Sequence, residues 1–473
     1  MRSYVLRRRF LCVGLFSFIL LNRLWSLDLP SAKIEDDSAL RRSLLDSWFT
    51  EMPGRTLANR SFIHTLSGGG RIQVRIEEGQ DEFTIVLARE LTASNTGGAE
   101  AVRISGAFPG WAQGSWVLTR RRSDGEAIRI RVFLRSDPYT YVQFRPMGDG
   151  KCQMDVVLYD AYLVESQPLA ITFDRLLVIP VEEALRIAGS SFPRRYFDPD
   201  IGRYRDTWNL VTAVRSYLPS FIYGDDGAID DQGRYVYINT LLPQGEKPGL
   251  NCSGFAKWMV DGILRPLTGT LLPIPPLKDA FGDRGSSFTE PYERIRDPYF
   301  GLDWIRNLGS RANSALRSAS YGTLGEIEVR EAPFSQVIIR ERDRRGRETR
   351  AVKTYPGFLP EAGFGIEGLH PLLYTLAIDE PGRIYLAAVN TEIGAPTTAD
   401  NLRGRPRMRQ YFHIAVLVPY FNEYGTFQVT VFESAAETSS DETSFTFFKN
   451  RYPGHYINLV RIPIDSVFDP GGL

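Results

Sequence analysis

The sequence predicts a multidomain chain, with an N-terminal all-β sandwich or barrel followed by a C-terminal α+β domain that carries a long insertion. Three observations predict it. At 473 residues the chain is too long for one ordinary hydrophobic core. Residues 60–177 fall into short alternating or apolar runs separated by Gly, Asp, Asn and Pro, the pattern of many antiparallel strands. Beyond a polar, proline-marked stretch at residues 193–206, helix-period runs mix with long apolar strands.

The elements follow in order. Residues 1–27 read as a signal peptide or N-terminal anchor: Arg2 and Arg7 to Arg9 precede an apolar stretch at residues 10–21, and polar residues follow. That stretch is shorter than the ~20 apolar residues a membrane span needs. The exit lacks an Ala-x-Ala pattern, so cleavage and retention both stay open. The expected location is outside the cytoplasmic membrane, with membrane contact only through this segment.

Residues 28–59 form a helical leader, with leucines at 40, 44 and 45 at helical spacing over residues 38–49. The β-rich domain spans 60–190, with strands expected at 71–76, 83–87, 101–104, 115–119, 128–134, 139–144, 154–158 and 170–173, and a closing helix at 181–188. The second domain spans 195–473. It includes a helix at 209–217 and an insertion at about 266–368 rich in Gly, Pro and Arg. Within that insertion residues 335–339 and 349–354 pair as a hairpin whose exposed turn carries mixed charge around Gly346. Insertions placed beside active sites often form lids or substrate walls.

Composition narrows the function. Lys plus Arg and Asp plus Glu are each 56, so neither nucleic acid nor an anionic membrane surface is expected as a main partner. No His/Cys cluster has metal-ligand spacing, and Gly68-Gly69-Gly70 leads into a strand pattern rather than a phosphate-binding helix. No cofactor is expected. Trp111 and Trp116 lie near glycines in the β domain; they are core or turn aromatics, or a glycan-stacking face.

Beyond the leader, two cysteines remain. Cys152 lies in a strand-like run and reads as a buried thiol; a Cys152–Cys252 disulfide is the alternative. Cys252 stands where a turn becomes a helix. Asn251 is the N-cap, Phe255, Met259 and Ile263 share one face, and Arg265-Pro266 stops the helix. The helix N-terminus favours a thiolate, and its free N–H groups can hold an oxyanion. Gly254 permits close approach of other backbone.

Residues 411–418 (YFHIAVLV) read as a central strand interrupted only by His413, and residues 426–433 (TFQVTVFE) as the next strand. A turn centred on residue 423 sets His413 directly opposite Glu433. A carboxylate beside an imidazole supports its cationic form, and an imidazolium beside a thiol favours the thiolate.

These residues resemble the NlpC-type papain-like cysteine peptidases of bacterial cell envelopes. Tyr235-Val236-Tyr237 is similar to that family's tyrosine-containing approach, and Asn251-Cys252-Ser253-Gly254-Phe255 to its cysteine motif. Glu380-Pro381-Gly382-Arg383-Ile384-Tyr385 looks like its next strand, His413-Ile414-Ala415-Val416 like its histidine strand, and Phe432-Glu433-Ser434-Ala435 like the third position. Residues 448–461 resemble its closing strand. The likeness runs from about Tyr235 to the C-terminus, minus the insertion.

This chain departs from the family at three residues and in the insertion after the cysteine helix, which is far longer than usual. Asn251 stands for the usual Asp, Arg383 for Asp, and Glu433 for the commoner His, Asn or Gln; Ser434 and His455 are alternative third members. The resemblance implies a papain-like α+β domain in the periplasm or cell envelope. It implies a secreted hydrolase that cleaves amide bonds through an acyl-thioester, with cell-wall peptides as substrate. Cys252, His413 and Glu433 would be catalytic, with Tyr235, Tyr237, Asn251 and Ser253 at the oxyanion and substrate. A thiol amidase or acyltransferase acting on lipid or isopeptide amides is the alternative, as is a non-catalytic binding protein.

Overall fold

The computed structural model describes residues 36–92, 106–281, 297–317, 324–343, 348–360, 362–391, 410–438, 444–464 and 467–471. The signal or anchor segment, the expected strand at 101–104 and the charged turn around Gly346 lie outside these residues. No helix among the described residues is long and apolar enough to cross a membrane.

The leader helix α1 (Ser38–Leu44) is capped by Asp37 and buries Leu40 and Leu44. Arg41 is buried too, because Asp36 and the carbonyls of Leu177 and Ile179 satisfy its guanidinium. Eight strands follow: β1 (Phe62–Thr65), β2 (Arg71–Glu78), β3 (Glu82–Arg89), β4 (Trp116–Arg121), β5 (Ala127–Val132), β6 (Tyr141–Pro146), β7 (Lys151–Leu158) and β8 (Ala161–Thr172). Each pairs antiparallel with the next.

A sandwich or barrel was expected; the strands instead form one continuous sheet. Among the described residues no pairing closes it. Alternation explains its single main core. Val74, Ile85, Leu118, Ile130, Val142, Phe144, Met154 and Val156 point to one side and are buried with the leader helix. The helix α2 (Val181–Ala188) occurs at the residues its periodicity marks.

The second part begins with α3 (Arg205–Tyr217), a short hairpin of β9 (Gly227–Ile229) and β10 (Tyr235–Tyr237), and α4 (Cys252–Thr268). The helix α4 does not stop at Arg265-Pro266; it runs through Pro266 and ends at Gly269 in the left-handed region (φ 72°). Pro266 has no N–H for the carbonyl of Gly262, and the Asp469 N–H donates to that carbonyl instead at 2.8 Å.

Next come α5 (Phe300–Arg317), then β11 (Gln336–Arg342) and β12 (Glu348–Thr354), which form the expected hairpin. This hairpin joins the first sheet: Val337 pairs with Ala161, giving a ten-strand order β1 to β8, then β11, then β12. The insertion therefore ties the two parts together. Its helix α5 packs on α4 and on the second sheet, and Trp304 Nε1 donates to the Ser253 carbonyl at 2.9 Å.

The second sheet contains β13 (Phe364–Gly365), β14 (Arg383–Thr391), β15 (Gln410–Phe421), β16 (Phe427–Glu433), β17 (Ala436–Glu437) and β18 (Tyr456–Pro463), in the order β13-β18-β14-β15-β16-β17. Helix α6 (Leu369–Asp379) leads into β14, and α7 (Ser444–Arg451) precedes β18. Tyr159 at the β7–β8 turn packs at a tilt against His370 and Tyr374 of α6 and against Phe427 of β16, so the two sheets share an aromatic contact. The chain is thus multidomain and mixed α/β, built on two large antiparallel sheets.

Candidate active site

Asn251 holds the start of α4. Its backbone is extended and its Oδ1 accepts the Gly254 N–H at 2.8 Å. Gly254 is sterically required, since a Cβ there would lie 2.0 Å from the Gly227 carbonyl oxygen of β9. The same carbonyl accepts the Asn251 N–H at 3.0 Å. One strand carbonyl thereby fixes where the helix begins and sets Cys252 at its first position.

His413 stands near the start of β15. The register differs from the expected one by two residues: Ala415, not His413, pairs with Glu433. The reason is the loop, which runs over residues 422–426 between the paired Phe421 and Phe427 and so centres on residue 424. A shift of two preserves the face. Both side chains are long enough to meet across the diagonal. His413 Nε2 lies 2.7 Å from Glu433 Oε1.

Glu433 is buried (7% exposed), and its charge is met on every side. Oε1 also accepts the Tyr452 hydroxyl at 3.2 Å, and Oε2 accepts Thr438 Oγ1 at 2.5 Å and Arg451 Nη1 at 3.3 Å. Thr438 is brought back by a two-residue turn in which Ser434 (φ 48°) and Ala435 (φ 70°) both adopt the left-handed region. That geometry normally calls for Asn or Gly, and it stores strain beside the carboxylate. Neither Ser434 nor His455 bonds His413 among the described residues; His455 Nδ1 lies against the Pro453 carbonyl instead. Glu433 is the residue that orients the imidazole.

Glu433 occupies Nε2, which leaves Nδ1 for the Cys252 thiol. Burial alone would raise the thiol pKa. The hydrogen bond to His413, its positive charge, the Ile414 backbone N–H and Ser253 outweigh that, and the thiol falls below its ordinary value. Burial likewise works against the imidazolium, but the bonds to Cys252 and Glu433 raise His413 to about 9. Glu433 is disfavoured as an anion by burial, yet His413 and Thr438 hold it below the ordinary range. All three directions favour the charged forms, thiolate, imidazolium and carboxylate, over the balance each group has in water.

The remaining expected residues divide. Asn251 is the cap. Ser253 is buried, with its hydroxyl 4.0 Å from Cys252 Sγ. Tyr235 and Tyr237 lie on β10, paired with Ile229 and Gly227, and among the described residues neither hydrogen-bonds Cys252. Another tyrosine, Tyr223, lies ahead of the motif. It bridges in parallel to Leu250, is 64% exposed, and its hydroxyl pKa is raised by burial, by Asp225 and by the Cys252 charge. Its sequence signal was faint: a Tyr-Gly pair ahead of the cysteine motif, outside any periodic run.

Cys152 and Cys252 are free thiols. Trp116 is buried against Phe49 beneath the Arg41 guanidinium, so it forms no glycan face. Trp111 is half-buried on the opposite side of the sheet.

Residues 30–196 match a family described only as a domain of unknown function, DUF8515. No curated protein and no solved structure matches the chain.

Proposed function

We propose that this chain is a papain-like thiol hydrolase, related to the NlpC-type envelope peptidases, that cleaves amide bonds in cell-wall peptides. The observation that carries the reading is the unbroken row from Cys252 at a helix start, through His413, to a fully satisfied Glu433.

The Cys252 thiolate attacks the amide carbonyl carbon, and the C=O electron pair moves to oxygen. The helix-start N–H groups and the Tyr223 hydroxyl stabilise that oxyanion. Collapse breaks the C–N bond, and the His413 imidazolium gives its proton to the leaving amine. Imidazole then takes a proton from water, the hydroxide displaces the thiolate from the thioester, and the acid departs with the ion pair restored. Glu433 keeps Nε2 protonated throughout.

One observation favours an acylated amide as a second reading. Ile222, Leu241 and Leu242 are 49%, 41% and 62% exposed on segments bonded to Leu250 and Tyr237 near the helix start.

Purified cell wall and an N-acylated peptide would each be digested with wild-type and Cys252→Ser protein, with products read by mass. Wild type should release new peptide termini at least a thousandfold faster than the variant. Identical product profiles on cell wall would remove the peptidase reading.

A further inference from the structure

Tyr452 directly follows α7 and opens a four-residue turn. Its carbonyl accepts the His455 N–H at 3.2 Å, Pro453 fixes the next φ, and Gly454 takes the left-handed region (φ 71°) that the turn requires. The ring this turn carries is buried, at 8% exposed. Phe412, Phe448 and His455 meet it edge to face, with centroids 6.0, 5.1 and 5.7 Å away. A ring boxed in this way has its hydroxyl fixed in place. The His413 imidazole lies 5.8 Å from the same ring, tilted by 31°.

That hydroxyl reaches Glu433. It donates to Oε1 at 3.2 Å, the same oxygen that receives His413 Nε2 at 2.7 Å. Thr438 Oγ1 and Arg451 Nη1 act on the other oxygen, Oε2. The Arg451 side chain is 49% exposed and its bond is 3.3 Å long, so solvent screens its charge. Among the described residues Tyr452 alone shares an oxygen of Glu433 with the imidazole. Burial, and then the Glu433 charge, pushes the Tyr452 hydroxyl above its ordinary pKa, so it remains a donor at every working pH.

The charged and titratable groups around the imidazole are Cys252 on α4 and Glu433 on β16, with Arg451 and Tyr452 acting through Glu433; His455 meets the Tyr452 and Phe412 rings. This set passes through two charge states in the proposed reaction. Before the proton is given, Glu433 faces an imidazolium. Afterwards it faces a neutral imidazole, and a buried carboxylate has lost its main counter-charge. A hydroxyl bonded to Oε1 stabilises the carboxylate in both states. It does so more in the second, where the imidazole N–H is the weaker competitor for that oxygen. The hydroxyl therefore lowers the cost of giving the proton away.

We propose that Tyr452 is a positioning residue for the hydrolysis: by sharing Oε1 of Glu433 it keeps the His413 imidazolium acidic enough to protonate the leaving amine. The proposal rests on the thiol-hydrolase reading for the step it assists, and not for its effect on the imidazole.

The test is Tyr452→Phe, which keeps the ring and removes the hydroxyl. In the full chain carrying isotope-labelled histidine, an NMR titration follows the His413 ring nitrogens, assigned by their loss in His413→Ala. The titration midpoint should rise by about half a pH unit to one. On purified cell wall and on the N-acylated peptide, kcat at neutral pH should fall about two- to fivefold with KM unchanged, because a weaker acid protonates the amine more slowly. A midpoint that stays or falls overturns the proposal, even where thermal stability drops, since that drop alone is a packing effect. A raised midpoint with unchanged kcat overturns it as well. A raised midpoint in a chain that hydrolyses neither substrate upholds the link from Tyr452 to the imidazole and overturns only the hydrolytic reading.

Discussion

The two described cysteines sit in contrasting regions. Cys152 lies within β7, fully buried, and its thiol donates to the Ile171 carbonyl at 3.3 Å. Burial pushes it up to about 11. Cys252 is also desolvated, yet its thiol moves the other way. What differs is what replaces water. Cys152 meets apolar side chains and a carbonyl, which stabilise only the protonated form. Cys252 meets an imidazolium, the Ile414 N–H and a helix start, which stabilise the anion. Burial therefore does not by itself decide reactivity; the sign of the surrounding dipoles does.

The largest effect should come from removing the cation. In His413→Ala, Cys252 should behave more like Cys152, with alkylation by iodoacetamide at pH 6 slowed about 10²- to 10⁴-fold. The same variant has a stability signature. His413 is raised from 6.5 to about 9, so its contribution to stability is complete below pH 6.5 and is lost as pH rises through about 9. Glu433 is lowered, so its contribution is present above its ordinary range and is lost as pH falls. Urea midpoints of wild type and variant should differ most near pH 6 and converge above pH 9. A constant gap would show that His413 acts by packing alone.

Glu433→Gln tests the next link. The amide can accept a hydrogen bond but carries no charge, and each unit lost from the imidazolium pKa reduces the ion-pair fraction about tenfold at alkaline pH. The alkaline limb of the hydrolysis profile, set by the imidazolium proton that the leaving amine needs, should move to lower pH. An unmoved limb would mean that the Cys252 thiolate alone sustains the imidazolium.

Tyr223→Phe should lower kcat by about 10- to 100-fold with little change in KM, since the hydroxyl is needed only when the oxyanion forms. Alkylation of Cys252 should stay near the wild-type rate. A loss confined to KM would reassign Tyr223 to substrate binding.

Cys152→Ala completes the comparison with the smallest effect: about 1–2 kcal/mol of stability lost by chemical denaturation, and unchanged alkylation stoichiometry and hydrolysis. A drop in labelling would show that Cys152, not Cys252, is the accessible thiol.

Much of the site was legible in the sequence because it depends on short-range rules. Asn251 as cap, Cys252 at a helix start, Gly254 at a close approach, and His413 and Glu433 on neighbouring strands all follow from capping preference and alternation. The hairpin register was off by two residues because the loop centre, not the strand pattern, was misplaced. The period of two made that error harmless to the shared face. Pro266 marked a helix end that did not occur, because Asp469, two hundred residues later, satisfies the freed carbonyl.

Tyr223 was beyond reach for a different reason. A parallel bridge to Leu250 brings it beside the segment that leads into the cysteine motif. Likewise, nothing local says that a hairpin from the insertion extends the first sheet. By itself the sequence determined the elements, their faces and the chemistry of the cysteine–histidine–glutamate set, since these rest on periodicities of 2.0 and 3.6 and on the positive end of one helix. The tertiary structure alone decided which tyrosine bridges to the segment before the cysteine motif, how Glu433 is satisfied, and that a hairpin of the insertion extends the first sheet. Those depend on contacts between residues far apart in the chain, and no local preference encodes such contacts.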